Sequence, residues 1–156
     1  MLSPSEVRRI ARQVSLFAKI SEEDVAKILA KGMTMQIRKG SAVFYEKSTG
    51  NTMYVILSGK IELFEKKKHL ASLGTGEMFG EMALISDEPR SATAIAGEDS
   101  TLFVLTETTF DELMTKRVAI RMLLNIIATL SKRLREANRR LMQQMAETNP
   151  DSSQTT

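Results

Sequence analysis

The stretch of sequence that decides the fold is residues 73–96, LGTGEMFGEMALISDEPRSATAIA. Three of its glycines, Gly74, Gly76 and Gly80, fall within seven residues of one another. Gly80 is followed by Glu-Met-Ala-Leu-Ile, which is long enough for one or two helical turns. Because the first N–H groups of a helix have no backbone acceptor and lie at the positive end of its dipole, this junction predicts an anion-binding loop.

Arg90 and Glu81 are the candidate ligand-binding side chains of this stretch. The guanidinium of Arg90 is permanently charged and presents a fork of donors that fits a phosphate, while Pro89 restricts the path of the chain before it. A carboxylate at position 81 would repel a phosphate, unless the ligand also presents a hydroxyl donor such as a ribose 2′-OH. The residues alone leave two interpretations open. One is a compact nucleotide site; the other is a local cap or ion pair of Glu81 beside ordinary glycine turns.

The region around this stretch, residues 33–106, has the pattern of many short strands separated by turns. Strands are predicted at 33–37, 42–45, 53–57, 61–64, 91–96 and 101–105, and Lys66, Lys67 and Lys68 are predicted to form a solvated hairpin tip. Short strands at nearly even spacing favour a sandwich or a small barrel. We expect His69 to be an exposed strand residue rather than a haem ligand.

Helices are predicted on both sides of the strand region. Ser3, Pro4 and Glu6 have the pattern of a capping box with proline at the first helical position, and Ser21 begins a second helix that Gly32 ends. A short helix at 107–114 and a long one at 118–145 are predicted on the C-terminal side. The chain thus divides into a helical segment (1–32), a β region (33–106), C-terminal helices (107–145) and a polar tail (146–156) that we expect to be disordered.

The long helix has an apolar stripe with heptad spacing, formed by Ile120, Leu123, Ile127, Leu130, Leu134, Ala137 and Leu141. At 1.5 Å per residue this helix would be roughly 40 Å long, whereas a compact chain of this size has a radius of gyration of about 15 Å. The helix should therefore extend beyond its own domain, and we expect its stripe to form a homodimer interface. The alternative is that the stripe packs only on the β region. The basic residues beside the stripe are interpreted as a solvated face.

The composition excludes several classes of function. The chain has 156 residues, no cysteine, one histidine and no tryptophan, which excludes disulfides and thiolate metal sites and argues against a Ser-His-Asp triad. A net charge of +3 is too small to indicate nucleic-acid binding by itself. The N-terminus lacks the apolar core of a signal peptide, and no stretch reaches the ~18 apolar residues of a membrane span. We therefore expect a soluble, cytoplasmic protein without a membrane span.

The segments FGEMALI (79–85) and PRSAT (89–93) together resemble the phosphate-binding cassette of the cyclic nucleotide-binding domain family. The resemblance extends over residues 14–145, because Gly40, Gly50 and Gly59 also fall where that family places its turn glycines. It implies an α+β fold in which an eight-stranded, jelly-roll-like β-roll (a double-stranded β-helix) carries N-terminal helices and a long C-terminal helix. Residues 79–93 are called the cassette below.

The resemblance also implies a ligand, cAMP or cGMP, and assigns its contacts to residues of this chain. Glu81 would accept a hydrogen bond from the ribose 2′-OH, and the phosphate would contact Arg90, Ser91 and the backbone N–H groups of Gly80, Met82 and Ala83. The base pocket would contain Leu63, Leu70, Ala71, Leu134, Arg135, Ala137 and Asn138. Neither Ser91 nor Asn138 decides the base, and cAMP is favoured over cGMP. No metal and no cofactor are implied.

The sequence therefore predicts a cyclic nucleotide sensor without catalytic activity, in which binding shifts the position of the C-terminal helix. A transcription factor of this family would need a helix-turn-helix domain after the long helix, and only about eleven residues follow Met145. We therefore expect no effector domain and no DNA binding by this chain alone. The alternative is a vestigial module that binds no ligand and acts as a dimerisation scaffold.

Overall fold

The computed structural model describes residues 1–113 and 117–148 and contains a β-roll of two four-stranded antiparallel sheets. The strands are β1 (Met33–Ile37), β2 (Ala42–Phe44), β3 (Thr52–Ser58), β4 (Lys60–Glu65), β5 (Lys68–Gly74), β6 (Met78–Phe79), β7 (Thr93–Ala96) and β8 (Ser100–Thr106). One sheet has the order β1-β8-β3-β6 and the other has the order β2-β7-β4-β5. The eight-stranded α+β fold implied by the resemblance is confirmed.

Helices flank the roll at both ends of the chain, and one short helix lies within the cassette. They are α1 (Pro4–Gln13), a 3₁₀ helix (Ser15–Phe17), α2 (Glu22–Lys31), α3 (Met82–Ile85), α4 (Glu107–Leu113) and α5 (Arg117–Thr148). The capping box of α1 is present, since Ser3 Oγ accepts from the Glu6 N–H at 3.3 Å and Glu6 Oε2 accepts from the Ser3 N–H at 2.7 Å. None of the helices described here is both long and apolar enough to cross a lipid bilayer.

The C-terminal boundaries differ from the predicted ones in one respect. The long helix continues to Thr148 instead of ending at Met145, because Ala146 and Glu147 are good helix formers and the first helix-breaking residue is Pro150. The predicted end of the short helix at residue 114 and residues 149–156 of the predicted tail lie outside the described residues.

Strands β5 and β6 were not among the predicted strands. The turn before β5 is formed by Lys66 and Lys67, both at positive φ, so Lys68 begins a strand rather than completing the hairpin tip. β5 lacks an alternating apolar pattern, and its first three residues, Lys68, His69 and Leu70, are all exposed. Its antiparallel pairing with β4 defines it as a strand. β6 has only two residues, which is too short for a periodic pattern.

The core consists of two apolar clusters. The first joins the helices to the β1-β8-β3-β6 sheet, and Phe17 meets Phe103 there in an edge-to-face pair with centroids 6.5 Å apart. The second lies between the sheets and contains Ile56, Ile61, Leu73, Phe79, Ala94, Ala96 and Leu102. Gly32 lies so close to Phe103 that an added Cβ would be 2.3 Å from the ring, so this glycine permits close packing as well as ending α2.

Helix α5 divides its apolar residues between two faces. Ala119, Met122 and Ile126 are buried, and Leu123 and Leu130 pack against the first core cluster. Ile120, Leu124, Ile127, Leu134, Leu141 and Met145 are exposed. The predicted single stripe is therefore wrong in part: Leu123 and Leu130 pack against the chain's own core, whereas its other members, Ile120, Ile127, Leu134, Ala137 and Leu141, are exposed. Leu124, one position after Leu123, is exposed with them and continues their heptad spacing.

Candidate functional site

A cavity of about 500 Å³, counted with its open mouth, lies between the cassette, the roll and α5. All six residues assigned to the phosphate and ribose line it: Gly80, Glu81, Met82, Ala83, Arg90 and Ser91. The structure thus brings together the part of the site predicted from the cassette.

The residues predicted to surround a base are not brought together to the same degree. Leu63 lines the cavity, whereas Leu70, Ala71, Leu134, Arg135, Ala137 and Asn138 do not. Leu70 is 42% exposed on β5, and Leu134 is 62% exposed on α5. α5 contributes Arg133 to the cavity lining.

Arg90 is buried in the wall of the cavity, with only 8% of its surface exposed. Its Nη1 donates to the Gly80 carbonyl at 3.0 Å, and its Nη2 donates to the Thr52 carbonyl at 2.7 Å. Its Nε is buried and has no acceptor among the described residues. Burial lowers the pKa of the guanidinium, although Tyr54 and Glu81 act in the opposite direction. A buried charge with one unused donor requires a further acceptor, since an unsatisfied buried donor is costly.

Two glycines make room for the guanidinium of Arg90. A Cβ added to Gly50 would lie 2.8 Å from Nη2 and 3.1 Å from Nε, and a Cβ added to Gly80 would lie 2.8 Å from Nη1. Gly80 also has a φ of +75°, which a residue with a side chain rarely adopts. The cassette glycine and the glycine before β3 therefore form the two sides of a slot that only Arg90 fills.

Aromatic side chains form the floor beneath Arg90. The guanidinium carbon lies 4.1 Å from the centroid of Phe44, which suits a cation–π contact. Phe79 stacks on Tyr54 with centroids 5.1 Å apart and also contacts Phe44 at 5.8 Å. Burial raises the pKa of Tyr54. This floor was not predicted, because its members come from three separate strands and no local spacing connects them.

Glu81 is the second buried charge of the cavity, with 5% of its surface exposed. It neither caps α3 nor pairs with Arg90; instead, its Oε1 lies 3.0 Å from Nη1 of Arg133 on α5. Nη2 of Arg133 donates to the Met78 carbonyl. The basic residues of α5 were predicted to be a solvated face, and for Arg133 this is wrong. The sequence places Arg133 seven residues after Ile126, on the same face of the helix, and this spacing could have indicated that Arg133 faces the roll.

The N–H groups of the cassette are partly used within the chain. The N–H of Ala83 donates to the Gly80 carbonyl at 3.2 Å, and the N–H of Leu84 donates to the Glu81 carbonyl at 3.0 Å, which closes the single turn of α3. The predicted anion contact of Ala83 would therefore share a hydrogen that already has an acceptor. Met82 is exposed at the mouth of the cavity.

A second polar cluster lies on β4 and β5, outside the cavity. Nε2 of His69 is 2.6 Å from Oε2 of Glu62, and Ser72 donates to the same oxygen. Because one ring nitrogen faces both partners, the cluster lacks the relay geometry of a catalytic triad. The Ser72 and His69 hydrogen bonds lower the pKa of Glu62. His69 is exposed on a strand, as predicted. Among the described residues there is no group of three side chains suited to a metal ion.

Comparison with known proteins connects this geometry to a family. The model of the cyclic nucleotide-binding domain family matches residues 34–117, more than half of the chain. The cyclic AMP receptor protein of Thermus thermophilus is 34% identical over 128 residues, which cover 79% of this chain and 58% of that protein. The cGMP-dependent protein kinase 2 of Mus musculus is 34% identical over 122 residues, which cover 69% of this chain and 16% of the kinase. The chain therefore spans less than two thirds of each of these relatives.

Solved structures agree with the sequence comparisons. The catabolite activator protein of Thermus thermophilus superimposes with a TM-score of 0.75 at 34% identity, covering 85% of this chain and 64% of that one. A cyclic nucleotide-binding domain from Methylobacillus flagellatus has a TM-score of 0.79 at 23% identity, covering 90% and 83% of the two chains, and shows the fold alone. From its fold, its cassette and these relatives, the chain belongs to the cyclic nucleotide-binding domain family.

Proposed function

We propose that this chain is a cytoplasmic sensor that binds a cyclic nucleotide in the cavity beside the cassette and has no catalytic activity. The observation that carries this proposal is Arg90, a buried cation that lines the cavity and whose Nε has no acceptor among the residues the structure describes. An anionic phosphate oxygen would satisfy this donor and compensate the buried positive charge, and a hydrogen bond of this type is short and strong. Ser91, next to Arg90 and at the cavity wall, adds a second donor for the same phosphate.

Glu81 suits the sugar of such a ligand. Nη1 of Arg133 donates to Oε1 of Glu81, and Oε2 has no hydrogen-bond donor among the described residues, so this oxygen remains as an acceptor for a ribose hydroxyl. Arg133 also compensates the negative charge that would otherwise repel the phosphate. We favour cAMP over cGMP, because the Thermus thermophilus relative that matches 79% of this chain is named a cyclic AMP receptor protein.

Helix α5 is proposed to form a parallel homodimer with a second copy of the chain. Its exposed apolar residues follow the a and d positions of a heptad, with Leu124 and Met145 at a, and Ile120, Ile127, Leu134 and Leu141 at d. The remaining a positions hold Ser131 and Asn138, and a polar residue at a specifies register at a cost in stability.

Ligand binding would signal by changing how α5 lies against the roll. We propose no DNA contact by this chain alone.

A thermal-shift experiment with cAMP and cGMP tests the proposed function. A ligand that binds only the folded chain stabilises it and therefore raises the midpoint of thermal unfolding. At a free ligand concentration of 100 times the dissociation constant, the free energy of unfolding increases by about 2.7 kcal/mol. We expect a shift with cAMP, a smaller one with cGMP, and none with 5′-AMP. Arg90→Lys should abolish the shift, whereas Arg38→Lys, on an exposed arginine away from the cavity, should retain it. If neither cyclic nucleotide shifts the midpoint, the chain is a dimerisation scaffold rather than a sensor.

A further inference from the structure

The side chain of Asn125, in the middle of α5, connects this helix to the N-terminal segment. Its Nδ2 donates to the Leu16 carbonyl at 2.7 Å and to the Ala18 carbonyl at 2.9 Å. These carbonyls lie at the end of the 3₁₀ helix, where carbonyl groups have no N–H donor within the helix. One amide nitrogen therefore uses both of its hydrogens on a segment 107 and 109 residues away in sequence.

The 3₁₀ helix is itself attached to the turn that leads into the cassette. The Ser15 N–H donates to the Gly76 carbonyl at 3.1 Å. Gly76 has a φ of +90°, and an added Cβ would be 2.2 Å from the Gln13 carbonyl oxygen, so the backbones are in direct contact. The Gly76 N–H donates in turn to the Ile56 carbonyl at 2.8 Å. The segment that Asn125 holds is therefore fixed to the β-roll immediately before β6.

Arg133 makes a second polar contact between α5 and the β-roll. It contacts the Met78 carbonyl of β6 and the Glu81 carboxylate, eight residues after Asn125 and therefore about 12 Å further along α5. Between the two polar contacts lie buried Ile126 and partly buried Leu130, whereas beyond Arg133 every residue from 137 to 148 is exposed. α5 is thus held to the rest of the chain at two polar points, one on the N-terminal segment and one at the cavity.

We infer that Asn125 is a positioning residue for the ligand site: it sets the axial and rotational position of α5, and thereby brings Arg133 to Glu81. This inference rests on the cyclic nucleotide function proposed above and adds its regulation. The Asn125 contact is the fixed point from which the C-terminal half of α5 swings when a ligand alters the contacts of Glu81. Asn125 acts through Arg133, and it touches no ligand.

A double-mutant cycle on ligand affinity tests this role. Asn125→Ala removes both hydrogen bonds while favouring the helix, and we expect cAMP affinity measured by calorimetry to fall about fivefold, or about 1 kcal/mol. In an Arg133→Gln background the same substitution should change the affinity less than about twofold, because the residue through which it acts is gone. Gln143→Glu, an exposed position on the same helix, is the matched control and should leave the affinity unchanged. An unchanged affinity for Asn125→Ala, or an equal loss in both backgrounds, would overturn the inference.

A distance measurement without ligand separates this inference from the proposed function. The chain has no cysteine, so spin labels at Lys68→Cys on β5 and Gln143→Cys on α5 are unique in each copy, and dilution with unlabelled chain isolates the intramolecular distance. We expect a narrow distribution that broadens in both Asn125→Ala and Arg133→Gln. If the distribution of Asn125→Ala is as narrow as that of the parent, the Asn125 contact does not position α5. If no cyclic nucleotide binds but the distribution broadens, the proposed function fails while the positioning role stands.

Discussion

Nη1 of Arg133 lies 3.0 Å from Oε1 of Glu81, and this ion pair joins the C-terminal helix to the cassette across 52 residues of sequence. The carboxylate is almost fully buried, with 6% of its side chain exposed, whereas the arginine is 30% exposed. The pair is therefore asymmetric: Glu81 depends on Arg133 for compensation of its charge, while Arg133 can also be solvated. A helix that moves away from the roll would leave Glu81 without its charged partner.

Arg133→Gln is expected to lower the free energy of unfolding by about 1–3 kcal/mol at neutral pH, because it leaves the buried carboxylate without its charged donor. Adding Glu81→Gln in the same chain should recover most of this loss, since neither charge then remains to be compensated. Chemical denaturation of the two single variants and the double variant measures the coupling. Strictly additive losses would show that the two side chains do not interact in solution.

Gly50→Ala is expected to weaken cyclic nucleotide binding at least tenfold without unfolding the roll. Its φ is not in the left-handed region, so the main consequence of the methyl group is a contact at 2.8 Å with the Arg90 guanidinium, which must shift. A displacement that costs about 1.4 kcal/mol of binding energy is a tenfold loss of affinity.

Gly74→Ala is the matched control for Gly50→Ala, because a Cβ there meets nothing within 4 Å. Calorimetry with cAMP compares the two variants, each checked for its unfolding midpoint. Equal affinities of Gly50→Ala and Gly74→Ala would mean that the position of Arg90 does not depend on this close contact.

Leu134→Glu is expected to convert the proposed homodimer into a folded monomer. Leu134 is 62% exposed and belongs to the d position of the heptad, so a charge there opposes association but removes no contact with the roll. Sedimentation equilibrium measures the change, with Lys132→Glu on the same helix as the control that should remain dimeric. Higher salt should strengthen the parent dimer, because exposed basic side chains on both helices repel each other. A parent chain that is monomeric at high concentration contradicts the dimer.

Glu62 is expected to make the stability of the β4–β5 hairpin depend on pH. Its pKa in the folded chain lies below the ordinary value of 4.5, because Ser72 and His69 donate to its carboxylate. The stability it contributes is therefore fully present above about pH 4.5 and is lost as the pH falls through the lower folded pKa. Glu62→Gln should be less stable than the parent at neutral pH and equal to it in acid, as followed by thermal unfolding at several pH values. Glu65→Gln, on an exposed side chain of the same strand, should show no such convergence.

The features that could be predicted from the sequence depend on residues that are close together in the chain. The capping box of Ser3 and Glu6 and the end of α2 at Gly32 depend on neighbours within a few positions, and so does the grouping of the cassette residues, which the structure brings to one cavity. β5 escaped prediction because exposed polar side chains hide its alternation, and only its partner strand defines it.

The features that could not be predicted depend on contacts between distant parts of the chain. Arg133 follows buried Ile126 by seven residues and so lies on the core-facing side of α5, but its partner Glu81 comes from a distant element and no local pattern connects the two residues. Part of the predicted apolar stripe of α5 faces the core, because Leu123 and its exposed neighbour Leu124 both fit a heptad pattern with Ile120 and Ile127. The fold determines which of them faces the core, since Met122 and Ile126 meet the first apolar cluster.

The two buried charges of the cavity are attached to different parts of the molecule. Arg90 is bound to backbone carbonyls of the roll at Thr52 and Gly80, whereas Glu81 is bound to a side chain of α5. A small molecule that contacts both charges therefore joins a side chain fixed to the roll to a side chain that is paired with α5 through Arg133, and the span between its anionic and hydroxyl groups sets the separation of the two. If the chain is the sensor proposed above, two ligands of equal affinity but different span would place Glu81 and Arg133 differently, so that a tight-binding analogue of altered length would act as an antagonist.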